Sequence, residues 1–148
     1  MFDKFNYHWK SLKHANIITQ EEYTAATFAQ HYRTIEEFKK PFNDINSKIH
    51  KSGLRLISCC TRLTECPYKK KYLENINTMS PNDYAESLIP TMRSWSETVF
   101  KTALNNRNSS EIDKIVDMFY DSYLEEIANN PNGHSMDYIH IVMDIEKV

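Results

Sequence analysis

Gly53 and Gly133 are the only glycines in the 148 residues, and each stands a few positions ahead of a stretch that reads as a β-strand. A G-x-G turn needs closely spaced residues without a Cβ, so that the backbone can approach a phosphate group; two lone glycines eighty positions apart cannot supply one. Almost nothing else in the chain looks like β-structure. The fold must therefore be mainly helical, and the two strands have to find their sheet partners at opposite ends of a helical sequence.

The first strand is expected over residues 54–61, with Leu54, Leu56, Ser58 and Cys60 on one face and Arg55, Ile57, Cys59 and Thr61 on the other. The second is expected over 138–146. There Ile139, Ile141, Met143 and Ile145 alternate with Tyr138, His140, Val142 and Asp144, the period of two that a half-covered strand shows.

Helix starts are clearly punctuated. Thr19 to Glu22 and Thr34 to Glu37 both match the capping box, in which a hydroxyl and a carboxylate three residues on satisfy each other's orphan amides. After Thr34, apolar residues at Ile35, Phe38, Phe42, Ile45 and Ile49 share one helical face as far as Gly53, a C-cap position, with Pro41 as a point of bending or division. Residues 1–53 are thus expected to be helical. The stretch around Pro67 and Lys69 to Lys71 breaks the periodicity and is expected as an exposed loop. Ser80-Pro81-Asn82-Asp83 and Ser110-Glu111-Ile112-Asp113 open a helix pair over 80–129. Its first member carries Tyr84, Leu88, Met92, Trp95, Val99 and Ala103, with a kink expected at Pro90. Its second carries Ile112, Ile115, Val116, Phe119, Tyr123 and Ile127.

At 41% apolar and 26% charged residues, 148 residues suit a single domain, α+β in class: helices over a two-stranded antiparallel pair. A formal charge of −2 gives no general attraction to nucleic acid or to an anionic bilayer, and neither is expected as a partner. The segment from Met1 to Lys10 lacks the apolar core of a secretory leader, and no window is apolar enough to span a bilayer, so a cytoplasmic location is expected. Cys59, Cys60 and Cys66 fit reduced thiols, since no C-x-x-C or H-x-x-x-H pair accompanies them for a metal. Lys69 to Lys71 beside Tyr68 and Tyr72 reads as a solvated loop before a nucleic-acid contact.

The order of these elements carries a resemblance. A tryptophan-bearing helix at "HWKSLKHANIITQEE", a helix at "YRTIEEFKKPF", a strand at "SGLRLISCC", a helix pair from "DYAESLIPTMRSWSETVF" and a closing strand at "DYIHIVMDIEK" together resemble the C-terminal half of S-adenosylmethionine-dependent methyltransferases. They resemble most the SABATH-like carboxyl methyltransferases, which methylate small-molecule carboxylates. The resemblance implies that the two strands are the last two of a seven-stranded Rossmann-like sheet and that the helix pair belongs to a substrate cap. It also implies that Met92, which with Arg93 and Glu97 follows the family's cap-helix pattern, lines the substrate pocket; Trp95, Tyr84 and Trp9 are its expected neighbours. S-adenosylmethionine is the cofactor implied, held by a half with a glycine-rich turn that this chain does not contain, so none is expected to bind these residues alone.

Two functions follow from this. The chain is expected to be the substrate-binding portion of a methyltransferase acting on a small-molecule carboxylate or hydroxyl, without a catalytic residue of its own and not self-sufficient in catalysis. The alternative is a non-catalytic helical module that pairs through its open sheet edge with a partner chain or a second copy, as a homodimer.

Overall fold

The structure, a computed structural model, describes residues 1–28 and 31–148. It is mainly helical with one two-stranded antiparallel sheet. The single domain expected from chain length is divided into two compact units: Met1–Phe28 with Cys66–Met136, and Ala29–Glu65 with Asp137–Val148.

The first unit is all helix. It holds α1 (Phe2–His14), α2 (Gln20–Ala25), α5 (Pro67–Glu74), α6 (Pro81–Ala103), α7 (Ser109–Asn129) and a short 3₁₀ turn at Pro131–Gly133. The Thr19 capping box forms as expected, with the hydroxyl accepting from the Glu22 amide and the Glu22 carboxylate accepting from the Thr19 amide at 2.7 Å. Ser80 and Asp83 make the same reciprocal pair at the head of α6, which then runs through Pro90 as one 23-residue helix. The next helix starts one residue earlier than Ser110, because Asn108 rather than the serine caps it, through the Glu111 amide. Along α6 and α7 the apolar stripes meet, and Leu88, Met92, Phe100, Val116, Phe119 and Ile127 are each essentially inaccessible to solvent.

The expected loop after the first strand is instead α5. Pro67 occupies the first helical position, where its missing N–H costs nothing, and Tyr72 stacks on Tyr84 with ring centres 4.9 Å apart. Lys69 extends over both of those rings and donates to the Pro131 carbonyl and the Asn132 side chain. Lys69, Tyr68 and Tyr72 are thus engaged within the unit, while Lys70 and Lys71 are exposed.

The second unit holds α3 (Ile35–Asn43), α4 (Lys48–Lys51), β1 (Leu54–Thr64) and β2 (Tyr138–Lys147). The amphipathic helix expected as far as Gly53 is divided, and the reason is local. Asp44 accepts from the Asn46 amide through its side chain, Ser47 caps α4 at the His50 amide, and the Ser47 hydroxyl donates to the Pro41 carbonyl. Short polar side chains thereby offer the backbone an alternative to the helical ladder, and Ile45 is left 67% exposed.

Gly53 has φ +82°, and a Cβ there would stand 2.5 Å from the Val148 carbonyl oxygen. Only glycine satisfies both the left-handed backbone and the close approach. From this turn β1 runs to Thr64, three residues past the expected end, paired with β2 on both sides of Ile57.

Its facial pattern differs from strict alternation because a bulge between Leu56 and Ser58 leaves Ile57 without a partner. Past the bulge the faces exchange. Leu54, Leu56, Cys59, Thr61 and Leu63 now share a side with Ile139, Ile141, Met143 and Ile145, while Arg55, Ser58, Cys60, Arg62 and Thr64 share the other with His140 and Asp144. The bulge converts a mixed strand into one with an apolar and a polar face. Helix α3 packs against β1, with Ile35, Phe38 and Phe42 half-buried. Among the described residues of this unit none is fully buried.

Candidate functional site

The four residues expected to line a substrate pocket all lie in the helical unit, but in different surroundings. Trp9, on α1, is 2% exposed and borders a cavity of about 50 Å³ together with Phe2, Phe5, Asn6, Tyr23, Ala26, Phe28 and Phe100. Trp95, on α6, packs with its ring centre 5.6 Å from that of Phe5, 6.0 Å from Phe2 and 6.2 Å from Phe28. Those three rings also border the cavity, so the two tryptophans serve one aromatic cluster.

Both bury their indole N–H groups without a hydrogen-bond partner. A buried donor left unpaired is costly, and among the described residues neither indole finds an acceptor. The cavity itself is far below the roughly 300–1,000 Å³ of a ligand pocket. It admits a water or two and no substrate.

Met92 and Tyr84 are elsewhere. Met92 is 1% exposed in the seam between α6 and α7, its carbonyl accepting from the Ser96 hydroxyl at 2.6 Å. Tyr84 is inaccessible, stacked on Tyr72, and donates its hydroxyl to the His134 carbonyl at 2.7 Å. These two are packing residues of the core, and neither borders the aromatic cavity.

The Arg93 and Glu97 that follow Met92 form a two-pronged pair, both prongs 3.1 Å. Arg93 also reaches Asp117 at 2.7 Å and lies over the Tyr120 ring, while Lys101 joins Glu97 to Asp113. Hydrogen bonds from Arg93 and then Lys101 hold the Glu97 carboxyl down at about 2. This ladder ties α6 to α7 on a half-exposed face and leaves Glu97 no freedom to act as an acid or base near neutral pH.

A polar cluster that periodicity does not reveal sits between α1 and α7. The buried His8 ring makes 2.6 Å contact with a Glu126 carboxylate oxygen through Nε2 and 2.9 Å contact with the Ser122 hydroxyl through Nδ1. Lys4 pairs with the same carboxylate, and the buried His134 has Nε2 3.5 Å from it. Burial raises the Glu126 carboxyl, but the hydrogen bonds from Lys4 and His8 outweigh that and hold it below its ordinary value. Burial lowers both imidazoles, so at neutral pH His8 donates from Nε2 to the carboxylate and accepts from Ser122 at Nδ1.

Serine, imidazole and carboxylate in a row are the parts of a nucleophilic relay. Ser122, however, lies inside α7, where the backbone amides are spent on the helix and none is free to bind an oxyanion. The arrangement works as a polar staple between two helices. Its sequence signal is two i,i+4 pairs, Lys4 with His8 and Ser122 with Glu126, on helices that no pattern told to face each other.

Among the described residues no group of three His, Cys, Asp or Glu side chains could hold a metal ion, and no helix is long and apolar enough to cross a membrane. Among the described residues Cys59, Cys60 and Cys66 form no disulfide. No protein-family model, curated protein or solved structure matches the chain.

Proposed function

We propose that these residues are the substrate-side, C-terminal portion of an S-adenosylmethionine-dependent methyltransferase that acts on a small-molecule carboxylate or hydroxyl, with the cofactor held by strands the chain does not contain. The observation that carries this reading is the ribbon of β1 and β2, whose strands have no further neighbour and whose unit encloses no buried residue among those described. A two-stranded ribbon is marginal in water and acquires stability as part of a wider sheet.

What supports the family reading is the order of the longer helices and the two strands along the chain. Trp9 and Trp95 are the residues this reading assigns to the substrate side, and the closed cavity that Trp9 borders would have to open before a ligand could reach them. Met92 and Tyr84 pack in the core away from that cavity. With a carboxylate acceptor the reaction needs no acid or base from these residues; a hydroxyl acceptor would have to give its proton to a base in the half that holds the cofactor. An in-line displacement of the methyl group rests on holding the two reactants in position.

The test is to read the coding sequence on the 5′ side of the Met1 codon and to titrate S-adenosylmethionine calorimetrically into residues 1–148 and into whatever longer product is encoded. The reading expects strands with a glycine-rich turn upstream, micromolar binding by the longer product, and none tighter than about 1 mM by the 148 residues alone. An upstream sequence without such a turn, or tight binding by these residues alone, contradicts it. A second reading, a non-catalytic module that recruits a strand along the ribbon, is favoured by the same open edges.

A further inference from the structure

We infer that, on its own, the 148-residue chain pairs with a second copy of itself along the outer edge of β2, making a four-stranded antiparallel sheet about a two-fold axis at Val142. The inference rests on the open ribbon and not on methyl transfer. Three observations select this partner and this edge.

The first is the width of the ribbon. With two strands only it is marginal in water, and further strands at an edge stabilise its ladder. Ile139, Leu63 and Ile145, on its apolar side, are 74%, 59% and 46% exposed; pairing at the edge extends that side without burying it.

The second is the difference between the two edges. β1 is bulged at Ile57 and carries Arg55 and Arg62 with no acidic residue between Leu54 and Thr64. A bulge spoils an edge for further pairing, and a self-pair there would bring together no opposite charges. β2 has no bulge of its own and carries both signs of charge.

The third is self-complementarity in one register. A two-fold axis through Val142 sets each residue opposite the one whose number makes the same sum, so His140 faces Asp144 of the second copy, twice. Ile139 then faces Ile145, Ile141 faces Met143, Tyr138 faces Glu146 and Asp137 faces Lys147. Residues directly opposite in an antiparallel pair share a side of the sheet, so the apolar faces of the two copies become continuous. A slip of one residue would put them on opposite sides. A shift of the axis to Ile141 or Met143 would part His140 from Asp144.

The experiment is sedimentation equilibrium of residues 1–148 with circular dichroism on the same samples, for the natural chain, for His140→Asp and for His140→Asp/Asp144→Lys. Within one copy position 140 lies opposite Arg62, so aspartate there suits the ribbon itself while setting two like-charged pairs across the axis. The natural chain is expected to be a dimer, His140→Asp to weaken it about tenfold or more, and the double variant to restore it. A monomeric natural chain at every concentration reached, or a dimer that His140→Asp leaves unchanged, overturns the inference. Neither result touches the upstream coding sequence or the cofactor titration, so the methyltransferase reading stands or falls separately.

Discussion

The helical unit and the ribbon unit use similar apolar residues to opposite effect. In the first, Phe5, Trp9, Phe100, Phe119 and Tyr123 enclose one another, and every fully buried residue among those described belongs to it. In the second, Ile57, Leu63, Ile139 and Ile145 stand in solvent. Burying one such side chain is worth about 1.5–3 kcal/mol, so the ribbon leaves unrealised what the helices have already gained. The helical unit closes over its own apolar surface; the ribbon displays part of its own.

That contrast can be broken by truncating one residue from each side of it. Phe119→Ala, in the seam of α6 and α7, is expected to cost about 3–5 kcal/mol in urea unfolding. Ile139→Ala, measured at a concentration where the chain is monomeric, is expected to cost well under about 1 kcal/mol, since little surrounds the side chain to be lost. Equal losses would mean that the ribbon has a core of its own.

The next effect in size sharpens the contrast within the ribbon. Gly53→Ala puts a Cβ at φ +82° and 2.5 Å from the Val148 oxygen, and is expected to cost about 1–3 kcal/mol. Amide exchange should show the loss confined to the β1–β2 ladder, with α6 and α7 unaffected. A loss spread evenly over both units would contradict their separateness.

The smallest effect belongs to the staple between α1 and α7. His8 and His134 are held below their ordinary value of 6.5, chiefly by burial. In the unfolded chain they take up protons first, so stability is full above about pH 6.5 and declines as the pH falls below it. Lys4, Glu126, the hydroxyl of Ser122 and the Tyr123 ring face them, and the N-terminal amine and His8 also act on His134. His8→Gln should flatten the decline measured by urea unfolding between pH 7 and pH 5, and an unchanged slope would remove His8 from the account.

What was legible in the sequence was what is decided locally. The capping boxes at Thr19 and Thr34 and the left-handed turn at Gly53 follow from side chains within a few residues of one another, and all three form. The second strand announced itself by alternation and the first by a short apolar-rich run after Gly53, though the faces expected for that run were exchanged past Leu56.

What was not legible depends on partners distant in the chain. The bulge at Ile57 exchanges the faces of β1 only because β2 fixes the register, and no feature of residues 54–64 alone requires it. Helix α5 was hidden because its one buried residue, Tyr72, is buried by Tyr84. The aromatic cluster around Trp9 and Trp95 was half legible: the residue types pointed to it, but periodicity could not distinguish Met92 and Tyr84, which serve the core, from the two indoles left with unpaired donors. The Ser122–His8–Glu126 row joins two helices far apart in sequence and gave no sign of itself.

The claim beneath all of this is that the helical unit is complete and the ribbon is not. Native-state amide hydrogen exchange on dilute, monomeric chain tests it most directly. The account predicts that amides of α6 and α7 exchange only through global unfolding, while those of the β1–β2 ladder exchange at least about a hundredfold faster through local opening. Ladder amides as strongly protected as those of α7 would contradict it.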